Sequence, residues 1–120
     1  MPLKQFVQKV KQNLDLTHLR VTGDMDLPVE KIAVCTGSGG SLLDLFLKSK
    51  ADVYITGDIK YHEARRVEEH SKALIDVGHF GSEHMAIDLL FEKLIRAVQN
   101  AGLDIQIIKY SEEKDPFNIV

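Results

Sequence analysis

Leu3, Phe6, Val7, Val10 and Leu14 recur at helical spacing with polar residues between them, and Pro2 suits a helix start, so residues 3–13 read as a short amphipathic helix. Residues 18–22 alternate in the manner of a strand, and Gly23, Asp24 and Pro28 then punctuate a turn or ribbon. From Lys31 the pattern becomes regular. A β-rich run, KIAVCT (31–36), leads into a glycine loop, GSGGS (37–41), and then into LLDLFLKSK (42–50), whose apolar residues fall at helical intervals. Ser41 is the expected N-cap of that helix. ADVYIT (51–56) reads as the next strand, closed by Gly57 and Asp58, and residues 60–71 as a polar-faced helix with Ala64 and Val67 inward. ALIDVG (73–78) is a third apolar strand. The strongest helix follows, with Ile87, Leu90, Phe91, Leu94, Ile95 and Val98 on one stripe, Ser82 as its expected N-cap and Gly102 as its stop. Residues 103–110, LDIQIIKY, read as a final strand before a polar tail.

Strands separated by single helices imply βαβ crossovers. The expected fold is therefore an α/β layered domain, a mixed, largely parallel sheet of about five strands covered by helices, and 120 residues suit one domain spanning 1–120. In such a sheet the loops after the strands share one edge, where ligands bind. GSGGS, Gly57-Asp58 and the segment from Asp76 to Glu83 all fall there.

Composition narrows the partners. Hydrophobic residues at 44% and charged residues at 28% are the balance of a folded globular chain. A formal charge of -3, with no stripe of Lys and Arg, argues against direct nucleic-acid binding. Cys35 is the single cysteine, so no intrachain disulfide or Cys-based zinc cluster can form, and a reducing compartment is expected. The start, MPLKQFVQKVKQ, lacks the apolar block of a signal peptide, and no apolar stretch is long enough to cross a bilayer. The expectation is a cytoplasmic protein with no membrane partner.

The candidate chemistry lies on the loop edge. In DVGHFGSEH, His79 and Glu83 stand four residues apart with Asp76 just before them, and an imidazole nitrogen with carboxylate oxygens can hold zinc, manganese or iron. With Ser82 as N-cap, His79 lies in the loop and Glu83 in the first helical turn, so their meeting depends on the loop. Glu83 is also stabilised there by the helix dipole alone, and a loop histidine is ordinarily solvated. GDIKYHEA (57–64) places Asp58 at a strand end and His62 in the following first turn, where they can orient or activate water as catalytic groups; alternatively, Asp58 caps the helix. Lys60 and Tyr61 are suited to an anionic or planar substrate. TGSGGS invites a phosphate nest, but no Gly-Lys-Ser/Thr follows and Leu42 stands where the dinucleotide fingerprint needs a glycine, so a structural turn is the better reading. Cys35, between Val34 and Thr36, reads as a core thiol.

Three motifs in order, AVCTGSGGSLL (33–43), ADVYITGDIKYHEA (51–64) and ALIDVGHFGSE (73–83), resemble the C-terminal half of the Nif-three-like family, whose members often carry the name GTP cyclohydrolase I type two homologue. The resemblance spans about residues 28 to 110. It implies a two-lobed α/β protein, a toroidal homo-hexamer, and a dinuclear metal centre between lobes, with His79 and Glu83 as metal ligands and His62 beside the centre. The family's paired histidine and remaining ligands belong to an N-terminal lobe, and no His-His pair occurs here. On this pattern the chain corresponds to the C-terminal lobe alone, and its site is incomplete.

Two functions follow as expectations. One is a metal-dependent hydrolase half-site acting on a small-molecule or nucleotide substrate, with His79 and Glu83 on a divalent metal and Asp58, Asp76 and His62 in supporting or proton-transfer roles. The other is a non-catalytic oligomerisation or regulatory interaction module.

Overall fold

Three of the apolar runs pair as parallel strands, and a fourth strand closes one edge in the opposite direction. The computed structural model describes residues 1–120. The strands are β1 (Arg20–Thr22), β2 (Ile32–Ser38), β3 (Val53–Gly57) and β4 (Ala73–Asp76), in the order β1-β4-β3-β2. Ile32 lies beside Val53, Val53 beside Ala73 and Thr56 beside Asp76 in the parallel pairs, whereas β1 runs antiparallel to β4 with Arg20 opposite Asp76. The helices are α1 (Leu3–Asn13), α2 (Leu43–Lys48), α3 (Tyr61–Glu69) and α4 (His79–Asn100), with a single 3-10 turn at Gly40–Leu42 before α2. None is long and apolar enough to cross a membrane. By its internal contacts the chain divides into two compact units, Met1–Ser82 and Glu83–Val120.

In the first unit the sheet is covered on both faces, which explains why β3 and β4 are almost uniformly apolar instead of alternating with polar residues. Side chains alternate across a strand. Val53 and Ile75 therefore join Leu3, Val7 and Val10 of α1, while Tyr54 and Leu74 meet Leu43, Phe46 and Leu47 of α2 and Val67 of α3. Each such fully buried aliphatic side chain contributes about 1.5–3 kcal/mol of transfer free energy.

The glycine loop serves this packing. Tyr54 stacks on Phe46, ring centroids 5.0 Å apart, and its hydroxyl donates to the Gly39 carbonyl at 2.9 Å. A Cβ at Gly39 would stand 2.1 Å from Thr56 Oγ1, so only glycine fits. Ser41 is not an N-cap: it lies inside the 3-10 turn, and Leu42 precedes α2. The close approach to β3 dictates that local path, which a helix-start pattern does not encode.

In the second unit, the α4 stripe is only partly covered: Ile87, Phe91, Ile95 and Val98 are half-buried, while Leu89, Leu90 and Leu94 are exposed. Lys109 returns to Asp88 at 2.7 Å, its ammonium 5.5 Å from the Phe91 ring centroid. The sheet has four strands, not about five. Residues 103–110 carry a β-like pattern and leave Leu103, Ile105, Ile108 and Tyr110 exposed, but they form no ladder. A strand needs a partner for its backbone donors and acceptors, and pattern alone does not provide one.

Burial, and then the neighbouring Cys35 thiol, push the Tyr54 phenol up to about 12 from its ordinary value of 10.0. The raised value means that Tyr54's contribution is fully present below pH 10 and is lost as pH rises through 12. Phenolate absorbance should show a late step near pH 12 that disappears in Tyr54→Phe, and the variant should lose less stability than the parent between pH 10 and 12. Identical alkaline profiles for the two proteins would contradict this environment for Tyr54.

Candidate functional site

Because β2, β3 and β4 are parallel, their C-terminal residues Ser38, Gly57 and Asp76 come to one edge of the sheet. Short-range contacts then draw the three following loops together. The Thr56 hydroxyl donates to the Gly37 carbonyl at 3.2 Å, and Val77 N–H donates to the Thr56 carbonyl at 2.9 Å. Gly57 passes so close to the turn before α4 that a Cβ there would lie 2.7 Å from the Gly78 carbonyl carbon. Any larger residue would force those backbones apart.

Asp76 fixes this arrangement. It is only 4% exposed, and its carboxylate accepts from the Arg20 guanidinium, from Ile59 N–H at 3.0 Å and from Gly78 N–H at 2.9 Å. Arg20 also donates to the Ile59 carbonyl at 3.0 Å. One side chain thus ties β1, the loop after β3 and the turn after β4. Leaving one of those buried amides without an acceptor costs about 1–3 kcal/mol. The sequence suggests a proton-transfer or supporting role for Asp76; the geometry gives it a bracing role, with its lone pairs engaged by three donors.

Asp58 and His79 meet on this braced edge. Asp58 adopts φ +56°, in the left-handed region that aspartate tolerates better than most residues. Its Oδ2 lies 2.6 Å from His79 Nδ1, and both side chains are 51% exposed. Asp58 therefore does not cap α3. Lys60 holds the N-cap position, and its N–H donates to the Glu63 carboxylate at 2.8 Å.

His79 is not in a loop, as a Ser82 cap would require, but is the first residue of α4. Ser82 is buried within the first turn, where its hydroxyl donates to the His79 carbonyl at 2.8 Å and accepts from Gly37 N–H at 2.7 Å. The Ser82 hydroxyl is used to join the helix to the glycine loop, so it cannot cap from outside. Glu83 stands four residues after His79 in the same helical element.

His62 lies in the first turn of α3, exposed, with its ring edge-on to Tyr61 at 5.3 Å between centroids. Arg65 bonds the Tyr61 hydroxyl at 3.0 Å and places its guanidinium 5.4 Å from the ring centroid. The structure thus brings Asp58 to His79 and sets His62 beside Tyr61. Sequence reasoning missed Arg20, because nothing local reveals that an antiparallel edge strand will put it opposite Asp76. It also missed the Asp58–His79 pairing, although the position of both residues just after strands was the available signal.

The donors fit a divalent cation in kind: an imidazole oriented by a carboxylate, and a second carboxylate one helical spacing away. They do not suffice in number. No group of three or more His, Cys, Asp or Glu side chains is assembled to hold a metal ion.

Residues 1–116 match the sequence model of the family Duf34/NIF3 (NGG1p interacting factor 3). A Campylobacter jejuni protein named GTP cyclohydrolase 1 type 2 homolog is 39% identical over 117 residues, covering 98% of this chain and 44% of that protein. One of the same name from Clostridium acetobutylicum is 33% identical over 117 residues, again covering 98% of this chain and 44% of the relative. Among solved structures, the Bacillus cereus protein related to NIF3 superposes with a TM-score of 0.92 at 34% identity, covering all of this chain and 33% of that one. The chain thus spans less than half the length of these relatives.

Proposed function

The chain belongs to the Duf34/NIF3 family, and on that premise we propose that it supplies the His79 and Glu83 portion of a divalent-metal site in a metal-dependent hydrolase. The observation that carries the reading is the Asp58–His79 contact at 2.6 Å on the loop edge of the sheet. Such a carboxylate behind an imidazole is a recurrent arrangement around metal-ligating histidines. Zinc, manganese and iron all accept this mixture of nitrogen and oxygen donors. When bound, the cation supplies Lewis acidity, which favours hydrolysis near neutral pH.

The chain's own groups then have distinct duties. His79 and Glu83 bind, Asp58 orients, and His62 on the first turn of α3 exchanges a proton with water or substrate. The relatives' name points to opening of a guanine nucleotide ring, and Tyr61 beside His62, with Arg65 across its ring, suits a planar, anionic substrate of that class. A catalytic metal ordinarily has three protein ligands, so the remaining donors come from residues beyond this chain.

A second reading is favoured by the exposed side chains of α4. Leu89, Leu90 and Leu94 lie uncovered on a helix of 22 residues, which suits an interface in a homo-oligomer, the hexamer implied by the resemblance included. Light scattering should then give a defined oligomer that Leu90→Lys dissociates. A parent protein that stays monomeric at high concentration would remove this reading.

For the metal reading, manganese and zinc binding should be measured by calorimetry on the parent chain, His79→Ala and Glu83→Ala. Binding is expected to be weak in the parent and at least about tenfold weaker in each variant. Equal binding by all three proteins would show that the cation sits elsewhere.

A further inference from the structure

We propose that Asp58 is a positioning residue that fixes the neutral His79 imidazole as its Nδ1–H tautomer and so presents Nε2 as the ligating nitrogen; the metal part of this inference rests on the function proposed above. The contact is 2.6 Å from Asp58 Oδ2 to His79 Nδ1. An ionised carboxylate can only accept, so the shared proton belongs to Nδ1, and in neutral imidazole the lone pair then belongs to Nε2.

Three independent features show that the edge is arranged to bring these two groups together. Asp58 adopts a left-handed backbone, φ +56°, which most side chains avoid. The preceding residue is the glycine whose missing side chain lets β3 approach within contact of Gly78, the residue before His79. The following residue, Ile59, has its N–H bound by Asp76, whose other oxygen accepts from Gly78 N–H. The backbone is thus braced on both sides of Asp58 and immediately before His79. An incidental surface ion pair has no such requirement, since two long or mobile side chains can find each other from relaxed backbones.

The pairing also selects between two uses of the histidine. With Nδ1–H committed to the carboxylate, ring rotation is restrained, which favours a ligand over a freely reorienting acid or base. Glu83, one α-helical spacing further along α4, is the chain's other candidate donor.

The test compares the parent with Asp58→Gly, which suits the left-handed backbone, and with Asp58→Asn, which keeps an acceptor without the charge. Long-range proton–nitrogen NMR on the metal-free protein, at a pH where the imidazole is neutral, should find Nδ1 protonated in the parent. In Asp58→Gly the Nε2–H form should gain population, with Asp58→Asn intermediate. Zinc and manganese affinity should fall about 10- to 100-fold in Asp58→Gly, while amide spectra remain those of a folded chain. An Nε2–H tautomer in the parent, or an unchanged tautomer in Asp58→Gly, overturns the positioning role. A tautomer shift accompanied by unchanged metal affinity overturns its link to ligation. If the tautomer shifts but His79→Ala binds metal as well as the parent, Asp58 still positions His79, and it is the metal reading that fails.

Discussion

The candidate site depends on a buried carboxylate. Asp76 ends β4, and its two oxygens collect donors from Arg20 on β1, from Ile59 after β3 and from Gly78 before α4. Hydrogen bonds to an ionised acceptor are the stronger kind, and a buried acceptor with three donors satisfies groups that would otherwise be orphaned at the end of a sheet. Sheet register brings the strand ends to one edge, but it does not determine the path of the residues beyond them. Asp76 does that. The left-handed Asp58 and the start of α4 at His79 both adjoin residues that it holds.

This division of labour separates stability from chemistry. Asp76 is enclosed and engaged by backbone amides, so it braces; Asp58 and His79 are half-exposed, so they remain accessible to ions and small molecules. Their mutual attraction contributes little to folding in water, about 0–1 kcal/mol for an exposed pair. Its value lies in orientation. The edge presents an imidazole bonded to a carboxylate, and the chain spans only 44% of the length of the two curated relatives described above.

Much of the fold was legible because burial imposes periodicity. Residues 3–13 became α1 as their spacing required, and the runs read as strands at 31–36, 51–56 and 73–78 became the parallel strands Ile32–Ser38, Val53–Gly57 and Ala73–Asp76. What escaped was set by tertiary contact. LDIQIIKY has strand-like alternation yet no ladder partner, and Ser41 and Ser82 look like caps but lie inside helical turns. In Ser82 the hydroxyl is recruited by Gly37, forty-five residues away in sequence. The candidate residues Asp58, His62, His79 and Glu83 could be placed from the sequence at strand ends and helix starts. Their arrangement could not be, because the positive φ at Asp58 and the placing of Arg20 opposite Asp76 by the antiparallel β1–β4 pairing leave no local signal in the sequence.

The bracing by Asp76 is tested most directly by amide hydrogen exchange at Ile59 and Gly78. Both amides should be protected in the parent chain, and in Asp76→Ala they should exchange faster while the β3–β4 ladder remains slow. Rapid exchange at Ile59 and Gly78 in the parent, or protection unchanged in the variant, would contradict the account.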